Sequence, residues 1–281
     1  MAVGTTRRRA ELTRAVQPIA GAPRRTIRHV TRYERTEGFR GAEFVDVDMT
    51  RADFREVDLT GSRMRGVLLI DADIDGAIDG LRINGVEVTP LIEAELDRLH
   101  PERTKLRPTT PEEAREAWAV VESIWDDTMR RARALPEADR HRSVDGEWSF
   151  TETLRHLVFV TDAWLSQAVL GQPAPFHPLS LPASFITNGE EFGIDSAAEP
   201  SFDEVVRIRA ERMAQVQAFL ATTTQDELER LRPPNTAPGW PPPASRSALE
   251  CLQVLLNDEW AHHQFAVRDL DIIESEAKPI D

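Results

Sequence analysis

From Phe39 onward an apolar residue returns at every fifth position: Phe39, Phe44, Met49, Phe54, Leu59, Met64, Leu69 and Ile74. Two places before most of them stands a small or β-branched residue: Ala42, Val47, Ala52, Val57, Ser62, Val67 and Ala72. The positions between are mostly Asp, Glu, Arg, Thr and Gly. A period of five fits neither the helix nor the strand. It predicts a chain that turns a corner every five residues, with the central and the small side chains both pointing inward. The pattern fades at GAIDGLRINGVEV, where LRINGVEV predicts a closing strand pair around Asn84-Gly85. The stretch TPLIEAELDRL, 89–99, predicts a short helix opening at Thr-Pro. The polar, Pro-bounded HPERTKLRPTTP, 100–111, reads as a linker.

Beyond the linker the apolar period changes to that of helices. Thr110-Pro111 opens a pattern with Ala114, Trp118, Val121, Ile124, Trp125 and Met129 at helical spacing. A second helix is predicted from about Ser149 to Leu170. Residues 171–200 are rich in Pro, Gly and Ser and predict a long loop, of the kind often functional in compact domains. Ser201-x-x-Glu204 is a capping box that opens a third helix to about residue 222. A short helix over 224–232 follows, and PPNTAPGWPPPAS, 233–245, predicts a rigid Pro-rich loop. Ser247-x-x-Glu250 is a second capping box and opens the last long helix, to about Ile273. Four long helices with two long crossovers predict a four-helix bundle.

The repeat resembles the pentapeptide-repeat family in AEFVD, VDMTR, ADFRE, VDLTG, SRMRG, VLLID and ADIDG. That resemblance implies a right-handed square β-helix. The fold class expected is therefore an α+β multidomain chain, a short right-handed pentapeptide-repeat β-helix followed by a four-helix bundle. Its parts would be a basic N-terminal arm (1–36), the repeat segment (37–88), the short helix and linker (89–110) and the bundle (111–275).

Composition narrows the function classes. The chain has 281 residues and a formal charge of −14, which argues against nucleic acid as the main partner, because phosphate contacts need clustered Lys and Arg. Residues 1–40 are the exception, with ten arginines against three glutamates; such a tail usually reads as a solvated arm. The single cysteine, Cys251, rules out a disulfide framework within the chain and sits in LECLQVLL as a small core residue rather than a nucleophile. No run reaches a membrane span and no secretory signal opens the chain, so a cytoplasmic protein is expected.

The candidate chemistry lies in NDEWAHHQFAVRDL, 257–270. Placed on a helix, Leu252, Leu255, Leu256, Ala266, Leu270 and Ile273 form the inward stripe. Glu259 and His263 fall in its middle, i and i+4 on one face. His262 falls at its edge and Asp258 outside it. A buried carboxylate needs a partner or a cation, so Glu259 and His263 either ligate a metal or pair with each other or with an arginine. A shift of helix phase would exchange the roles of His263 and His262. His156, in TETLRHLVFVTDAWL, lies inside a helix among apolar residues, and the phase of that helix leaves its direction open.

WSFTETLRHLVFVTDAWL, followed by EWAHHQFAVRDL, is similar to the DinB-like superfamily of metal-binding four-helix bundles and to its mycothiol- or bacillithiol-transferase-like branch. The resemblance implies a metal triad of one histidine from the second helix and two i, i+4 ligands from the last. Matched onto this chain these are His156, Glu259 and His263, with His262 as a flanking group or alternative ligand. The usual pattern has histidine where this chain has Glu259. Two histidines and a carboxylate leave a coordination position open, as catalytic sites do, and suit zinc first, with nickel, manganese or iron as alternatives. The resemblance implies that a low-molecular-weight thiol such as mycothiol takes that position and attacks an electrophilic small molecule, by conjugation or isomerisation. Trp148, His177, Trp240 and Arg268 are candidates for the pocket lining. The other expectation is a non-catalytic binding or protection module that uses the repeats for protein docking or homodimer formation.

Overall fold

The computed structural model describes residues 31–34 and 36–277. Most of the expected basic arm, including His29, lies outside the described residues. The chain divides into two compact units, one ending at Leu59 and the other starting at Thr60.

Both units contain part of the repeat, and its local geometry is the same throughout. A residue with positive φ occurs at every fifth position: Gly41, Asp46, Arg51, Glu56, Gly61, Gly66, Asp71 and Gly76. Where the turn is closed, the amide of Ala42 donates to Phe39 O and that of Ala52 to Met49 O, each at 3.0 Å or less. A left-handed third residue under such a bond is the type II corner. Arg51 and Glu56 hold that conformation without the freedom of glycine, so the repeat imposes it against side-chain sterics. The corners expected every five residues are thus present.

The β-helix is not. No strand occurs over residues 39–78, and the central side chains stay exposed, from Met49 at 41 % to Ile74 at 62 %. The physical reason is the difference between a local and a non-local bond. Each corner closes within four residues, whereas a β-helix wall needs ladders between successive coils. Eight repeats offer few coils, so few side chains gain neighbours above and below. The only sheet among the described residues is the hairpin expected at Asn84-Gly85: β1 (Arg82–Ile83) pairs antiparallel with β2 (Val86–Glu87), with Arg82 opposite Glu87. Asn84 and Gly85 both have positive φ, the requirement of a two-residue I′ turn.

The helices follow in the order α1 (Thr89–Leu99), α2 (Pro111–Ala134), α3 (Glu137–Arg140), α4 (Phe150–Thr161), α5 (Phe202–Thr222), α6 (Gln225–Glu229) and α7 (Ala248–Glu276). The expected linker is partly a 3-10 helix, Pro101–Leu106. It is held because Arg103 and Arg107 both bridge to Glu93 and Asp97 of α1. The second long helix is shorter than expected as α-helix. After Thr161 it continues as a π-helical turn, Asp162–Gln167, a departure common at functional sites.

Five helices, α2, α4, α5, α6 and α7, begin with reciprocal capping boxes, on Thr110, Ser149, Ser201, Thr224 and Ser247. Each cap satisfies two otherwise orphaned N–H groups and is worth about 1 kcal/mol. α2 packs on α5 and α7, and α4 packs on the same two helices, so the four long helices close a ring. Its core is Trp118, Val121, Trp125, Leu154, Leu157, Phe202, Val216, Leu255, Leu256 and Leu270. A smaller apolar cluster, Phe159, Ala163, Phe176, Ile186 and Ile194, fixes the 171–200 loop against α4. No helix among the described residues is long and apolar enough to cross a membrane.

Candidate metal centre

α7 is packed on two sides, and this decides where its polar residues go. Glu259 and His263 turn toward α5 and α2. His262 turns toward α4.

Glu259 is wholly buried, and both of its carboxylate oxygens accept from Nη2 of Arg209, itself buried on α5. Burial pushes the Glu259 carboxyl up and the guanidinium opposes it. With both oxygens taken by a permanent cation, the pair is ionised and satisfied on the Glu259 side. His263 lies against Trp125, with ring centroids 5.3 Å apart. Its Nε2 is 3.0 Å from Ile124 O and 2.9 Å from Thr128 Oγ1. A carbonyl only accepts, so Nε2 carries the proton; Nδ1 accepts from Gln264 Nε2 at 3.3 Å. His263 has no lone pair to spare. The expected set His156, Glu259 and His263 is therefore not brought together. Two of its members are engaged with α5 and α2, away from the third.

His156 meets His262 instead. Their ring centroids are 4.7 Å apart. His156 Nδ1 is 3.0 Å from Leu181 O, and His262 Nδ1 is 2.8 Å from Asp258 O. Each Nδ1–H donates to a carbonyl, which leaves both Nε2 atoms as lone-pair donors. This is the tautomer that metal-ligating imidazoles adopt when a carbonyl orients them. Burial lowers the His156 pKa to about 3, helped by His262. Burial also lowers that of His262, with Arg209 adding to the effect. Both rings are neutral at pH 7, which is the ligand form.

Asp258 stands four residues before His262 on the same helix face. Burial, with Glu259 beside it, pushes its carboxyl up to about 7. Sequence reasoning placed this residue outside the site because it took the apolar stripe of α7 as pointing at the centre. The signal available was the spacing itself, since Asp258/His262 has the same i, i+4 register as Glu259/His263. Arg209 was also missed; a buried glutamate announces a cation, but not which arginine supplies it. Among the described residues, no three His, Cys, Asp or Glu side chains already converge as a metal cluster.

The expected lining residues divide. Trp148 lies against both histidines: its ring centroid is 4.6 Å from that of His156 and stacks on His262 at 6.1 Å and 18°. Arg268 pairs with Asp269 and covers Phe265, whose ring meets the edge of His262. His177 is structural. Its N–H donates to Asp162 Oδ2, its Nδ1 accepts from the Leu179 amide, and its O accepts from Ser180. These bonds shape the turn that delivers Leu181 O to His156. Trp240 packs on the Phe159 cluster and meets Phe185 edge-on at 5.5 Å, one layer from His156, whose ring centroid is 6.0 Å from that of Phe159. Cys251 is buried, and burial raises its thiol pKa to about 11, as a core residue requires.

A family model of the DinB superfamily matches residues 120–266. The chain belongs to the DinB superfamily. Pentapeptide-repeat models match eight copies over residues 39–78. Neither the curated proteins nor the solved structures contained a match to the chain. The DinB-superfamily match spans α4 and most of α7, and so includes His156, Trp148, Asp258, Glu259, His262 and His263.

Proposed function

We propose that this DinB-superfamily protein is a metal-dependent thiol S-transferase-like enzyme whose divalent cation is held by His156, His262 and Asp258. The observation that carries the reading is the His156–His262 pair, with both Nδ1 atoms tied to carbonyls and both Nε2 atoms free. It replaces Glu259 and His263, whose polar atoms are already used, and it keeps the two-histidine, one-carboxylate donor set. That set is compatible with zinc first, and with nickel, manganese or iron.

When bound, such a cation supplies the Lewis acidity that holds a low-molecular-weight thiol, mycothiol in type, as its thiolate near neutral pH. The protein's own groups do the rest. Leu181 O and Asp258 O fix the two imidazoles. Trp148 lies over both rings and excludes water from one side. The Phe159 cluster with Trp240 offers an apolar wall to an electrophilic small molecule, and Arg268 offers a charge beside Phe265. No protein nucleophile is required, in keeping with the buried thiol of Cys251.

The test is a conjugation assay with cation-loaded protein, a low-molecular-weight thiol and a chromogenic electrophile. Turnover that disappears in His156→Ala and His262→Ala supports the reading. Rates equal to the uncatalysed reaction with several thiols and electrophiles, from folded and loaded protein, refute it. A second reading rests on the exposed apolar row from Phe39 to Ile74: the repeats serve as a docking or dimerisation surface. Loss of a partner or of self-association on deleting residues 1–88, with cation binding intact, would favour it.

A further inference from the structure

The Arg209–Glu259 pair is unusual for what it leaves unsatisfied. Nη2 of Arg209 serves both oxygens of Glu259, while Nη1 is buried and has no partner. A buried pair with an orphaned N–H is a poor device for stability alone, because apolar replacements of such pairs are often neutral or stabilising. Its position is specific. Glu259 follows Asp258 directly and stands one turn before His262, and the pair is near enough for the Arg209 charge to act on His262 and the Glu259 charge on Asp258. Arg209 and Glu259 side chains are 5 % and 0 % exposed, and charges there are poorly screened by water.

A divalent cation at His156, His262 and Asp258 would meet only one ligand charge, that of Asp258. A bare guanidinium behind this site would repel the cation; a bare carboxylate would attract it. We propose that Glu259 is a charge-balancing positioning residue, which cancels Arg209 and so sets the cation affinity of the site. This rests on the ligand assignment proposed above. Arg209 in turn fixes Glu259 toward α5, and prevents it from competing with Asp258 as a ligand.

The proposal makes a signed prediction that a purely structural role does not. Co2+ binding to the full chain at pH 8 is measured by calorimetry and by the ligand-field spectrum. Glu259→Gln leaves Arg209 unbalanced and is expected to weaken Co2+ by about tenfold or more, the usual scale for groups supporting a ligand shell. Arg209→Gln leaves the carboxylate unbalanced and is expected to tighten Co2+, by about tenfold at this charge and burial. The double variant Arg209→Gln/Glu259→Gln is expected to return toward the wild-type affinity. If one single variant fails to fold, the other and the double variant decide, since they must differ in a fixed direction. Equal weakening by both single variants, with cooperative unfolding retained, overturns the proposal. So does an unchanged affinity in both. Absence of Co2+ binding by the wild type would instead overturn the ligand assignment, and the proposal with it.

Discussion

Replacing Asp258 by asparagine should separate fold stability from cation binding. The carboxyl of Asp258 is raised from its ordinary 3.8 to about 7 by burial and by Glu259. At pH 8 the folded protein without a cation must therefore hold this group ionised against its surroundings. A shift of this size converts, at about 1.4 kcal/mol per unit, to about 4 kcal/mol. The side chain is only half-buried, so residual solvent screening brings the expected cost to about 2 kcal/mol. Asparagine keeps the shape and removes the charge. Metal-stripped Asp258→Asn should unfold in urea at pH 8 with about 2 kcal/mol more stability than the wild type, and the gain should vanish at pH 4. The same variant should bind Co2+ or Zn2+ at least about tenfold more weakly. A variant that is less stable than the wild type at pH 8, or one that binds the cation unchanged, would show that Asp258 is not a destabilised ligand.

Proton linkage gives a second prediction. The folded pKa of His156 is about 3, below that of the unfolded chain, so between about pH 6.5 and 3 only the unfolded chain takes up this proton. Its contribution to stability is present above pH 6.5 and is lost as pH falls. Asp258 acts with the opposite sign between 3.8 and 7, because there the folded state holds the extra proton. Removing Asp258 should therefore steepen the acid loss of stability, measured by urea unfolding from pH 7 to 4. An unchanged slope would contradict it. Gly239 has φ 152°, and a Cβ there would sit 2.0 Å from Gln167 Oε1. Gly239→Ala should cost about 1–3 kcal/mol by strain and overpacking; a thermal midpoint equal to wild type would refute that packing. Cys251 should resist alkylation in the native state at pH 8 and react only on unfolding, and rapid native labelling would place it outside the core.

Much of this molecule was legible before any coordinates. The boundaries of α1, α5 and α7 follow from Thr-Pro, Ser201-x-x-Glu204 and Ser247-x-x-Glu250, because capping is local chemistry written within four residues. The period of five likewise fixed the corners at Gly41 through Gly76. What the repeat does not encode locally is a strand ladder between coils, and the structure shows the corners without that ladder. The site was half legible for a related reason. His156 and the i, i+4 spacing on α7 are visible in the sequence. Which of two adjacent registers faces α4 depends on packing from both sides of α7, and an apolar stripe wide enough to bury Leu252, Leu255, Leu256 and Leu270 does not choose between them. Arg209, fifty residues away on α5, engages Glu259, a pairing that no local pattern in the sequence announces.

The account stands or falls on His262 against His263. Cation stoichiometry by elemental analysis and calorimetry, on folded wild type, His262→Ala and His263→Ala, tests it most directly. One divalent ion per wild-type chain, lost in His262→Ala and retained in His263→Ala, is the predicted result. Retention in His262→Ala with loss in His263→Ala would contradict the assignment and return the site to the register of Glu259.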